Sequence, residues 1–205
     1  MDAQVLAAMA RWPNVPAVRG WLSLSVRGQW RLHPHGRGWG APDEEPGEAI
    51  TSPQIVAFIG RNYLADDTGR WFFQNGPQRV YVRLDGAPWI LGLDADARGR
   101  PVLRTHTGRD YGPVTRWWLD PEGRLYARAD QGAGLVADRD LARVIDALRA
   151  NDGRPLDDWL ENPDPAGIAV RLAGAADAGR PPAGTPLGLL AADDLEATLG
   201  FVRRP

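Results

Sequence analysis

The chain has 205 residues, 43% hydrophobic and 24% charged, with a formal net charge of -2. That composition is globular and excludes a disordered or fibrous chain. With no cysteine it cannot build a disulfide, an iron–sulfur cluster or a thiolate zinc site, and because all 24 basic residues are arginine it has no lysine for a Schiff base or a phosphate loop.

In chain order, residues 1–20 form an N-terminal arm in which Val5, Leu6, Met9 and Trp12 recur at helical spacing until Pro13, predicting one short helix. From Trp21 the period changes to two. Trp21-Leu22-Ser23-Leu24-Ser25-Val26 alternates, Arg27-Gly28 supplies a turn, and Gln29-Trp30-Arg31-Leu32 returns as the second strand of a hairpin. Residues 33–48, rich in Gly, Pro and charge, read as a mobile surface loop that exposes Asp43-Glu44-Glu45 and solvates His33 and His35.

Thr51-Ser52-Pro53-Gln54 carries a helix start in several forms, with Ser52 as cap and Pro53 in the first turn. The helix is expected near 52–64, burying a stripe of Ile55, Phe58, Ile59 and Asn62 or Tyr63. Asp66-Asp67-Thr68-Gly69 ends it and leads into the strand Arg70-Trp71-Phe72-Phe73-Gln74. Asn75-Gly76-Pro77 turns the chain into Arg79-Val80-Tyr81-Val82-Arg83-Leu84, with Val80, Val82 and Leu84 on one face and Arg79, Tyr81 and Arg83 on the other. Further strands are predicted at 89–93, 101–106, 115–119 and 124–128, the last two joined by Asp120-Pro121-Glu122-Gly123.

A helix near 138–150 presents Leu141, Val144, Ile145 and Leu148, with Asn151-Asp152-Gly153 as its stop. Then come a helical turn at 156–160, a strand at 168–172, a flexible stretch at 173–184, a strand at 187–190 and a closing helix at 193–202. No repeat of fixed period is visible. The fold class expected is α+β, a mainly antiparallel, curled or barrel-like sheet with two to four amphipathic helices. Its organisation is expected as an arm at 1–20, a main β-rich domain at 21–150 and a C-terminal extension at 151–205 packing on the same body. No apolar run reaches the roughly 20 residues of a membrane helix, and Met1-Asp2-Ala3-Gln4 lacks a signal-like lead, so a cytoplasmic protein with no membrane partner is expected.

The chemistry-bearing residues are sparse. The adjacent carboxylates Asp66-Asp67, Asp157-Asp158 and Asp193-Asp194 sit where turns and helix caps place them, and Ser23, Ser25 and Ser52 lie in no nucleophile elbow. No catalytic residue, metal or cofactor is therefore expected, and whether the protein is an enzyme is left open. Rings and guanidiniums alternate on neighbouring strands, a pattern that serves as core with cover, as a ligand groove or as a platform for single-stranded nucleic acid. The net charge of -2 and the absence of an RNA-recognition octapeptide weigh against nucleic acid.

Phe58-Ile59-Gly60-Arg61-Asn62-Tyr63 and the string Trp71-Phe72-Phe73-Gln74-Asn75-Gly76-Pro77-Gln78-Arg79-Val80 resemble an uncharacterised proteobacterial family of unknown function, over about residues 10–130. The order of hairpin, helix and strand, followed by Val82-Arg83-Leu84-Asp85-Gly86-Ala87-Pro88-Trp89, is similar to a second uncharacterised bacterial family of compact β-barrel domains carrying a helix. Neither resemblance implies an activity.

The function expected is a non-catalytic module that binds a small molecule or peptide; the alternatives are a protein assembly partner, a single-stranded nucleic-acid binder or an enzyme. The surface expected to carry it lies where the Ile55 helix meets the following strands, with Arg61, Asn62, Trp71, Gln74, Asn75, Gln78, Arg79, Tyr81 and Trp89 as ligand-binding residues.

Overall fold

The structure is a computed structural model that describes residues 1–39, 45–173 and 184–205. Asp43, Glu44 and most of the stretch expected to be flexible at 173–184 lie outside the described residues. The fold is α+β with mainly antiparallel strands and a curled half-barrel sheet, as the strand spacing indicates. The chain forms two compact units, Met1–Pro88 with Gly200–Pro205, and Trp89–Leu199. The boundary at Pro88 falls inside the span expected as one main domain, 21–150, and the last six residues leave the C-terminal extension to join the first unit.

The first unit contains a six-stranded sheet of β1 (Val18–Leu24), β2 (Trp30–Leu32), β3 (Glu48–Ala49), β4 (Tyr63–Ala65), β5 (Trp71–Asn75) and β6 (Gln78–Leu84), in the order β3-β2-β1-β6-β5-β4. Hairpins account for the antiparallel neighbours, whereas β1 and β6 pair in parallel, with Leu22 opposite Val82 and Leu24 opposite Leu84. This pairing joins segments about sixty residues apart, and it is driven by burial: Leu22, Leu24, Val82 and Leu84 are all out of solvent. Trp30 meets Tyr63 edge to face at 4.9 Å, and Tyr63 lies 4.8 Å from Trp71. The Tyr63 hydroxyl donates to the Pro88 carbonyl, so the ring's polar end is satisfied inside the core.

Helix α1 (Ala3–Arg11) buries Val5 alone, leaving Leu6 and Trp12 half exposed. Helix α2 (Pro53–Arg61) is shorter than the predicted 52–64 because Tyr63 to Ala65 pair with β5, Tyr63 opposite Phe73. Ser52 takes the cap position with no side-chain hydrogen bond to the helix. On the β6 face that carries Arg79, Tyr81 and Arg83, Tyr81 and Arg83 are both buried.

One turn geometry recurs. Asp66, Asp96 and Asp120 each begin a turn in which the residue three later donates its N–H to the Asp carbonyl, and the Asp N–H bonds the carbonyl of an Arg four later. The third position after each Asp is a glycine, Gly69, Gly99 or Gly123, with φ between 74° and 77°. This is the three-residue hairpin loop that needs a left-handed residue, where a Cβ is costly. Each Asp carboxylate also accepts the Arg backbone N–H and guanidinium, at 2.9 Å and 2.6 Å for Nε of Arg70 (Asp66) and Arg124 (Asp120), and 2.7 Å for Arg100 (Asp96). These bonds hold the Asp96 carboxyl down at about 2, the Arg100 N–H being the largest contributor. The Ser25–Gln29, Thr105–Arg109 and Ala150–Arg154 turns share the backbone pattern.

The second unit holds an eight-stranded sheet: β7 (Trp89–Ala95), β8 (Pro101–Thr105), β9 (Arg116–Leu119), β10 (Leu125–Ala129), β11 (Gly132–Val136), β12 (Leu148–Ala150), β13 (Ile168–Leu172) and β14 (Thr185–Leu189). Its order is β12-β13-β14-β9-β10-β11-β7-β8, with β11/β7 and β14/β9 parallel. Helix α3 (Asp138–Ala147) ends three residues before the predicted 150. Leu148 and Ala150 instead pair with Leu172 and Val170 and are buried, so a distant strand takes the chain away from the helix. Helices α4 (Asp157–Glu161) and α5 (Leu195–Leu199), the latter preceded by a 3-10 turn at Ala192–Asp194, complete the described helices, and Trp117, Tyr111 and Tyr126 lie in the core. His106 tilts against Trp89 at 5.8 Å, its Nδ1 accepts the Ile90 N–H, and burial depresses its pKa to about 3. Among the described residues no helix is long and apolar enough to cross a membrane.

Two outcomes follow from these contacts. Asp120→Ala removes three hydrogen bonds from a carboxylate whose side chain is 1% exposed, and it should cost about 1–3 kcal/mol in urea denaturation; a loss under about 0.5 kcal/mol would show that the turn forms without its lock. For His106, the unfolded imidazole titrates near 6.5 and the folded one near 3, so between these values the unfolded chain holds the extra proton. Stability should therefore fall on acidification below about pH 6.5, by up to about 1.4 kcal/mol per pH unit. His106→Asn should flatten the slope of melting temperature between pH 7 and 5, and an unchanged slope would reject this assignment.

Candidate functional site

The first unit contains a cavity of about 780 Å3 between α2 and one face of its sheet. Val18 and Leu22 of β1, Phe73 of β5 and Val80 of β6 form the floor, and Ile55, Phe58 and Ile59 of α2 form a wall. Glu48 and Ala49 of β3, with residues 50–52, close one side. Phe58 meets Phe73 edge to face at 5.5 Å, which seats the C-terminal half of α2 on β5. One turn earlier Ile55 is 50% exposed although its helical spacing predicts burial. Trp21 and Leu32, both 42% exposed, complete an apolar rim. A concavity rimmed by exposed apolar side chains is a candidate site.

The polar lining is small: Glu48, Thr51, Ser52, Asn75 and Gln78. Asn75 and Gln78 face each other across the Gly76-Pro77 turn, where Gly76 has φ 57°, and the Gln78 amide donates to the Pro16 carbonyl. The remaining side chains expected to bind ligand do other work. Arg61 pairs with Asp2 at 3.0 Å, and this hydrogen bond lowers the Asp2 pKa. Asn62 is buried, accepts the Asp2 N–H and donates to the Phe58 carbonyl, so both residues tether the start of α1. Trp71 is core; Gln74 is buried and donates to the Gly76 carbonyl.

Arg79 lies 3.9 Å over the Phe72 ring, and Tyr81 carries Arg19 and Arg70 over its ring at 5.0 and 5.1 Å. The Tyr81 hydroxyl donates to Asp66 at 3.2 Å. Burial opposes ionisation of Asp66, but hydrogen bonds from Thr68 and Arg70 outweigh it and hold the carboxyl well below the usual range. Trp89 belongs to the second unit, where its indole N–H donates to the Gln131 carbonyl. Of the nine expected residues, Asn75 and Gln78 line the groove. The main contributors outside those nine are Trp21, Leu32, Glu48, Ile55 and Phe58. The signal for Ile55 and Phe58 was in the helical stripe; for Trp21 and Leu32 it appears only once β1 and β2 are registered against α2.

A second cluster corrects the expectation that His33 is solvated. Its side chain is 0% exposed, and Nε2 lies 2.9 Å from the Ser23 hydroxyl, which is equally buried. Glu45 approaches Nδ1 at 4.0 Å. A Cβ on Gly38 would meet the ring at 2.6 Å and one on Gly47 at 2.7 Å, so two glycines clamp the imidazole. Burial, and next the Arg83 charge, lower its pKa. The order Ser, His, acid has the polarity of a nucleophile and its base, yet neither Ser23 nor His33 is accessible to a substrate in this arrangement; the cluster anchors the segment after β2. His35 is exposed and pairs with Glu45 at 3.2 Å. Among the described residues no group of three His, Asp or Glu side chains converges as a metal site.

Comparisons with known proteins give the following. A DUF1285 family protein from Silicibacter pomeroyi DSS-3, known from a crystal structure, is 17% identical with a TM-score of 0.49, over 96% of this chain and 99% of its own. A second DUF1285 family protein, from Shewanella baltica OS155, is 13% identical with a TM-score of 0.40, over 58% of this chain and 86% of its own. No curated protein matches the sequence. The family model DUF2944, described as "Protein of unknown function (DUF2946)", matches residues 1–205, and the chain belongs to that family.

Proposed function

We propose that the first unit is a non-catalytic binding module whose ligand is a small molecule with an apolar body, held in the groove between α2 and the sheet. The single observation that carries this reading is the exposed apolar rim of Trp21, Leu32 and Ile55 around about 780 Å3. That volume lies within the roughly 300–1,000 Å3 typical of small-molecule sites, and an apolar wall with few polar groups is their usual lining. Burying three large side chains that are now about half exposed supplies a driving force of roughly 25 cal/mol per Å2 covered. Asn75 and Gln78 supply neutral hydrogen-bonding groups at the β5–β6 turn, which would orient a ligand without demanding a charge.

The test is binding of the neutral dye Nile red, whose fluorescence rises in apolar surroundings. The intact chain should bind it saturably and melt at a higher temperature with it. Ile55→Glu alters a half-exposed side chain, so the variant should keep its fold and lose at least tenfold in affinity. Equal binding by the variant, or none by the native chain, would remove the groove as the site.

A further inference from the structure

We infer that the groove selects a cationic amphiphile, an alkyl or aryl body bearing an amine, with the amine held at Glu48; this rests on the groove reading above. Glu48 is exposed on β3 at the groove's side, and among the described residues that line the cavity it is the one ionisable group. No Arg or His pairs with it among the described residues. A carboxylate thus faces an apolar chamber with no counter-ion supplied by the lining. The other polar lining groups, Thr51, Ser52, Asn75 and Gln78, are uncharged and accept or donate to either kind of ligand.

One feature opposes this sign. The N-terminus of α2 opens on the same cavity through Thr51 and Ser52 and carries a partial positive charge. It amounts to about half an elementary charge against the full charge of Glu48, and Pro53 in its first turn has no N–H to offer. Summed over the residues that line the groove, the charge is therefore negative. In a concavity with apolar walls, water screens that charge less than on an open surface, so an anionic head group is disfavoured and a cationic one is drawn in.

The experiment is calorimetric titration of the intact chain at pH 7 with decylamine, 1-decanol and decanoate, each below the concentration at which it aggregates. The three share one tail and differ in head-group charge. Decylamine should bind most tightly and decanoate most weakly. Glu48→Gln should weaken decylamine about two- to fivefold, the range of an exposed ion pair, while leaving decanol unchanged and tightening decanoate. Binding of decanol without preference for the amine, or a decylamine affinity unchanged in Glu48→Gln, would overturn the charge assignment and leave the groove reading standing. Failure of all three to bind would overturn both. Should Glu48→Gln melt early, the native series alone decides the sign of the preference.

Discussion

A carboxylate that gathers two backbone N–H groups and a guanidinium at one end of a hairpin is the constraint on which the sheets depend. Asp66, Asp96 and Asp120 each spend their acceptors this way, and the glycine that follows each adopts a conformation that branched side chains avoid. Each lock sets a register: Ala65 opposite Trp71, Ala95 opposite Pro101, Leu119 opposite Leu125. Register decides which face a side chain takes, since a one-residue slip would exchange core and surface. With β4 and β5 held in this way, Phe73 points toward α2 and Phe72 toward the arginines.

The same locks explain much of the arginine usage. Guanidiniums close turns at Arg70, Arg100 and Arg124, and guanidiniums also sit over buried rings: Arg19 and again Arg70 over Tyr81, Arg79 over Phe72, Arg116 over Trp118. A planar group with several directed donors suits both tasks, and an ammonium suits neither as well. The face of β6 that alternation marks as polar consequently places guanidiniums over rings, so Tyr81 is buried although Arg79 and Arg83, two positions away on either side, are charged.

The groove arises from a mismatch on the opposite face. Helix α2 is amphipathic over its whole length, but contact with Phe73 fixes only its later half, and Ile55 is left above the sheet. Trp21 and Leu32 complete the rim because β1 and β2 bring them there. The exposure of these three apolar side chains is what the proposed binding function rests on.

Composition and period were sufficient to read an α+β chain of antiparallel hairpins, because strand alternation, turn residues and helix stripes are written within a few residues of each other. The Asp-x-x-Gly-Arg turns were also legible as a local pattern, though their unequal spacing hides them from a search for fixed repeats. The parallel pairing of β1 with β6, the strand that cuts α3 short at Ala147, the burial of His33 between two glycines and the split of the site residues between two units were decided by tertiary structure alone. Each depends on a contact between segments far apart in the chain, where burial and strand pairing outweigh the local propensity that a sequence displays.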